Sequence, residues 1–247
     1  MKEVCLTAER NIKIALNHYA KAGRNCVLII CPGCFMSKDA KPFLDMAEAF
    51  FKHLDVITMD FRGHGKSGGL FTFSAKEHLD LKSVIDYAKT KYTHIVLLGF
   101  SLGAATAIIY TAKHKDINGV IAVSAPTDFE KIENHFLKKE AVIPAMEKFE
   151  FGKSPTLRPG NILLKKIKPA EVASKISPIP ILFLSGEKDP IIHQWHAEEL
   201  FENAREPKSI KTFPGGLHAE ELYLKSKEAF LDICLEWCDD LLKTGSR

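Results

Sequence analysis

The chain has 247 residues, 46% hydrophobic and 26% charged, ordinary proportions for a globular protein long enough to bury one large core. Its net charge of +3 is spread over interspersed residues of both signs, which excludes a basic arm for nucleic acid or an anionic membrane surface. No stretch approaches the roughly 20 apolar residues of a membrane span, and the opening MKEVCLTAERN lacks the apolar run of a signal peptide; a cytoplasmic protein acting on a small molecule, as monomer or homodimer, is expected.

Alternation in IKIALNHY after KEVCLTAERN predicts a β-hairpin turning at Arg10 and Asn11. CVLIIC (26–31) and DVITMDF (55–61) are apolar runs suited to strands buried on both faces, and AKPFLDMAEAFFKH between them has helical periodicity. That βαβ unit implies a parallel sheet. Ser74 with Glu77 three residues on reads as a capping box opening a helix whose apolar stripe is Leu79, Leu81, Val84, Ile85 and Ala88. Strand HIVLLGF, a helix from Ser101 to about His114 and strand INGVIAVSAP follow. After an interruption come strand IPILFLSG, helix HQWHAEELFENA, strand SIKTFPG and a last helix from Ala219 to Leu242. The reading is a doubly wound, mostly parallel α/β sheet with an antiparallel N-terminal hairpin.

The interruption, 128–173, is too long for a connector, whose usual length is about 2 to 6 residues. It is expected to form a small helical lid, with the core assigned to 1–127 and 174–243 and a flexible tail to 244–247. Phe136, Val142, Ile143, Met146 and Phe149 recur at helical spacing in the lid and are candidate substrate contacts, with packing of the lid onto the core as the plainer alternative.

LLGFSLGAA places Ser101 between Gly99 and Gly103 where a strand meets a helix. A strand that reverses sharply into a helix projects the central hydroxyl above the sheet, and the flanking glycines admit the close chain approach. A serine needs an imidazole base, and the imidazole needs a carboxylate. Asp189, in LSGEKDPII, and His218, in FPGGLHAEE, stand past the strand ends where those partners must arise. Asp128, after strand 117–126, is the rival acid. For the oxyanion, one N–H falls to Leu102 and the other to the loop PGCFMSK. Pro32 has no N–H and Gly33 permits close approach, which leaves Cys34 first and Phe35 second. His64, in DFRGHGKSGG, borders the site as a possible substrate contact, as does Phe35; His193 and His196 read as surface or capping residues. Cys31 and Cys34 have CxxC spacing and Cys234 and Cys238 lie far along the chain; buried thiols suit these pairs better than a zinc or redox site.

PGCF, DFRGHGKSGG, GFSLGA, GEKDPII and GGLHAEE, in this order over 27–218, resemble the α/β-hydrolase superfamily. The short lid after VSAPTDF is similar to small lidded carboxylesterases, the cinnamoyl and feruloyl esterases among them. The resemblance implies nucleophile Ser101, acid Asp189, base His218, oxyanion donors Cys34 and Leu102, and no metal or cofactor. It departs at Pro32, where many members have histidine. A serine esterase acting on small to medium or aromatic acyl groups is expected. An acyl thioesterase or a lysophospholipase-like or monoacylglycerol lipase-like enzyme, its phosphate met by Lys165, Lys166 or Lys168, is the alternative, and a non-catalytic binding protein a third reading.

Overall fold

The computed structural model describes residues 1–132, 157–161 and 163–244. Eight strands form one sheet: β1 (Lys2–Thr7), β2 (Lys13–Tyr19), β3 (Cys26–Cys31), β4 (Asp55–Met59), β5 (His94–Phe100), β6 (Gly119–Val123), β7 (Ile181–Gly186) and β8 (Lys208–Phe213), in the order β1-β2-β4-β3-β5-β6-β7-β8. The expected hairpin is at the edge: β1 pairs antiparallel with β2 and β2 antiparallel with β4, and every pair from β4 to β8 is parallel. Arg10 and Asn11 both adopt positive φ, 57° and 60°, which is how the chain reverses there.

Seven helices cover the faces among the described residues: α1 (Lys41–Phe51), α2 (Glu77–Lys89), α3 (Leu102–His114), α4 (Pro169–Val172), α5 (Gln194–Asn203), α6 (Glu220–Lys225) and α7 (Lys227–Thr244). The strands' two-residue period divides the core. Val27, Ile29, Ile95 and Leu97 pack with α2, α3 and α5, whereas Leu28, Ile30, Val96, Leu98 and Phe100 pack with α1, α6 and α7. Both faces of the central strands are therefore buried, as their continuous apolar runs require. No helix among the described residues is long and apolar enough to cross a membrane.

Two expectations are corrected. Ser74 caps no helix: α2 starts at Glu77, and the buried Ser74 hydroxyl bonds Thr106 on α3 at 3.3 Å. The Glu77 carboxylate instead accepts from the amide and hydroxyl of Thr72. The single helix expected over 219–242 is two, α6 and α7, parted at Ser226 with non-helical φ −134° and ψ 49°. Residues 157–160 are extended against the 63–71 loop: Phe71 bridges Pro159 in parallel, the Phe71 N–H bonds the Arg158 carbonyl, the Arg158 N–H bonds the Gly63 carbonyl, and the Gly160 N–H bonds the Phe71 carbonyl. The lid residues Phe136, Val142, Ile143, Met146 and Phe149 lie outside the described residues.

Candidate active site

The β5–α3 junction has the geometry that its glycines demand. Ser101 sits at φ 50°, ψ −112°, a region costly for a side-chain-bearing residue and held only by its surroundings. Its N–H bonds the Val123 carbonyl at the end of β6, and its carbonyl receives the Ala105 N–H. A Cβ on Gly99 would stand 2.6 Å from the Ala104 Cα, and one on Gly103 would overlap the carbonyl oxygen of Cys31. Glycine is therefore required for α3 to lie against β3 and β5. Leu102 opens α3, and its N–H belongs to the first turn, which no intrahelical carbonyl serves.

Two strands away, the loop after β7 carries Asp189. Its Oδ1 accepts the amides of Ile191 and Ile192, each at 2.9 Å, and its Oδ2 lies 2.8 Å from Nδ1 of His218. Burial alone would push this carboxyl up, but the His218 charge and these hydrogen bonds outweigh it and hold it below the usual carboxylate range. The His218 loop is fixed against the Asp189 loop by amides of Glu187 and Lys188, bonded to the carbonyls of Phe213 and Gly216. Because Oδ2 can only accept, Nδ1 of His218 carries a proton, and the lone pair of the neutral imidazole is on Nε2.

Ser124, just past β6, was not among the residues singled out by sequence. It is buried, at φ 48°, and its Oγ accepts the N–H of Ala219, next to His218, at 3.0 Å. The preceding carbonyl, of Val123, takes the N–H of Ser101. One peptide unit therefore links the backbone of the Ser101 turn to the backbone of the His218 loop. The structure joins Asp189 directly to His218 and connects Ser101 to them through this link; a hydrogen bond from the Ser101 hydroxyl to Nε2 is not formed among the described residues.

Asp128 does not compete for His218. Its Oδ2 meets Lys168 at 2.6 Å and its Oδ1 accepts the Glu130 N–H; against the push of burial, Lys168 holds this carboxyl below its ordinary value. Lys168 also reaches Glu130 at 3.4 Å, so its charge is matched by carboxylates. A cavity of about 560 Å³ lies here, with Phe73, Phe129, Leu164, Lys165 and Lys166 on its wall.

The loop after β3 turns beside Ser101. Met36 N–H bonds the Gly33 carbonyl at 3.3 Å, and a Cβ on Gly33 would be 3.4 Å from the Ser101 Cβ. Cys34 is partly exposed and Phe35, at φ 65°, is 39% exposed. The Phe35 N–H is already bonded, to Nε2 of His64.

Two histidine expectations are overturned. His64 is buried with both ring nitrogens bonded inside the protein, so it does not present a nitrogen to a substrate. His196 is not a surface residue: it is buried, its Nδ1 accepts the amide and hydroxyl of Thr127 at 3.1 and 2.9 Å, and burial pushes it down to about 4. The Thr127 carbonyl receives the Ala170 N–H, so His196 fixes the point where the chain enters and leaves the 128–173 segment. Cys31, Cys234 and Cys238 are buried, and burial pushes their thiols well up, as inert core residues require.

A family model described as alpha/beta hydrolase fold matches residues 27–153, just over half of the chain. The Pyrococcus furiosus esterase Pf2001 superposes with a TM-score of 0.77 at 24% identity, covering 98% of this chain and 91% of that one. An uncharacterized membrane protein of Saccharomyces cerevisiae, YNL320W, is 31% identical over 206 residues, 79% of this chain and 65% of that protein. The mouse serine hydrolase BPHL is 24% identical over 256 residues, covering 91% of this chain and 84% of that protein. The chain spans about half to two thirds of the length of the first curated relatives it matches.

Proposed function

Since the chain belongs to the alpha/beta hydrolase fold family, we propose that it is a serine hydrolase cleaving carboxylic esters through an acyl-serine intermediate. The observation that carries this reading is the 2.8 Å bond between buried Asp189 and His218, on loops tied through Ser124 to the strained turn at Ser101.

In this mechanism Ser101 Oγ attacks the ester carbonyl carbon while its proton passes to Nε2 of His218. Asp189 holds the imidazole in the required tautomer and stabilises the imidazolium. The amides of Cys34 and Leu102 receive the oxyanion. Collapse breaks the bond to the alcohol, which leaves with the proton from His218. Water then attacks the acyl-serine, giving one proton to His218, which returns it to Ser101 as the acid departs.

Ser101→Ala is expected to lower kcat on p-nitrophenyl butyrate by about 10⁴-fold or more and to abolish covalent labelling by a fluorophosphonate. Turnover or labelling that survives the substitution overturns the assignment. An acyl-CoA thioesterase is the second reading, favoured by Lys165 and Lys166 beside Phe73 and Phe129 at the cavity wall. A higher kcat/KM on butyryl-CoA than on p-nitrophenyl butyrate selects it.

A further inference from the structure

His64 lies between two loops that flank the Ser101 turn, and its bonds define its tautomer. Nδ1 is 3.1 Å from the carbonyl oxygen of Arg62, and Nε2 is 3.2 Å from the N–H of Phe35. A carbonyl only accepts, so Nδ1 carries the proton; an amide only donates, so Nε2 must offer a lone pair. One neutral form satisfies both partners. The ring is 3% exposed and meets Phe71 edge to face at 4.8 Å between centroids.

Both ends of this bridge are braced. Arg62 is held to Asp80 through its amide and its guanidinium, at 2.7 to 3.0 Å, so its carbonyl is a fixed acceptor. Asp60 accepts the amides of Lys38 and Lys66 at 2.7 and 2.8 Å, clamping the far end of the 33–38 loop to the 62–67 loop. Within the turn, Phe35 occupies a left-handed conformation that needs outside support. The Gly33 carbonyl faces the Met36 N–H; in a trans peptide the Cys34 N–H then points the opposite way, out of the turn.

We propose that His64 is a positioning residue: by accepting the Phe35 N–H it locks the 33–36 turn in the one conformation that offers the Cys34 amide to the oxyanion. This rests on the esterase reading of the Ser101 site. The bond matters most when charge develops on the substrate oxygen, so its loss falls on kcat more than on KM.

The test compares three variants on p-nitrophenyl butyrate. His64→Phe keeps a ring against Phe71 but removes the acceptor; His64→Asn places its amide near the Nδ1 position and also loses the Phe35 bond; His64→Gln puts a carbonyl oxygen near the Nε2 position. Expected are a fall in kcat of about 10- to 100-fold in Phe and Asn, KM within about threefold of wild type, and recovery of most of kcat in Gln. If Phe does not fold, Asn and Gln carry the comparison. Wild-type kcat in Phe or Asn, a loss carried by KM, or an equal loss in Gln overturns the proposal. Wild-type turnover that Ser101→Ala does not remove is the separate failure of the esterase reading.

Discussion

Asp189 shows how completely one side chain's role is set by its hydrogen bonds. Oδ1 is occupied by two backbone donors, the amides of Ile191 and Ile192, and Oδ2 by His218. In Asp189→Asn the carbonyl oxygen must keep serving the two amides, so the NH₂ group faces Nδ1 of His218. That forces Nδ1 to accept and moves the proton to Nε2, where it opposes proton transfer from Ser101. A fall in kcat of about 10⁴-fold is expected, measured on p-nitrophenyl butyrate beside Asp128→Asn, which should stay within a few-fold of wild type because Asp128 is paired with Lys168. The reverse ranking of the two variants would reassign the acid. The placement of Ser101, Asp189 and His218 just past strand ends was legible in sequence because each stands in a short motif there. Ser124 and the bonding of His64 and His196 were not, since Ala219 is 95 residues from Ser124, Thr127 is 69 from His196, and Phe35 is 29 from His64.

At the scale of elements, the strand runs were readable because parallel strands buried on both faces leave an uninterrupted apolar record, as CVLIIC in β3 does. Helix ends were less so. The Ser74 and Glu77 spacing matches a capping box, yet both side chains are drawn to partners outside that motif, Thr106 and Thr72, a choice made by packing of α2 against α3. The approach of α3 to β3 is a further consequence of packing with a measurable cost. In Gly103→Ala the new methyl meets the carbonyls of Cys31 and Pro32, backbone atoms at the root of the 33–36 turn. Backbone cannot rotate aside as a side chain does, so the strain stays: about 2 to 3 kcal/mol of stability and a melting temperature lower by about 5 to 10 °C, with kcat reduced as well because the turn carrying Cys34 is displaced. Calorimetry on the variant checks this, and an unchanged melting temperature would show that α3 has room the geometry denies it.

Across the whole molecule, histidines that are buried or half-buried give folding a pH dependence separate from catalysis. Burial pushes His64, His78 and His196 down to about 4, whereas in the unfolded chain each titrates near 6.5. Between these values the unfolded state binds protons that the folded state refuses, so their contribution is present above about pH 6.5 and is lost as pH falls toward 4. Asp80, pushed up to about 6 by burial, and Asp60, also raised by burial, bind protons more readily when folded and act in the opposite direction. These three histidines, joined by His18, which is buried and likewise lowered by burial, outnumber the two aspartates, and each net proton changes stability by about 1.4 kcal/mol per pH unit. Urea midpoints should therefore fall from pH 6.5 to 4.5. The fall should be shallower in His196→Asn, whose unfolded state has one fewer group to protonate. His196 ties Thr127 to α5, so the same titration loosens the stem of the 128–173 segment before the sheet gives way, and amide exchange at Thr127 and Ala170 should rise ahead of exchange in β5 as the pH drops. A midpoint that holds constant over this range, or exchange that rises at both places together, would show that these imidazoles take up protons without leaving their buried sites.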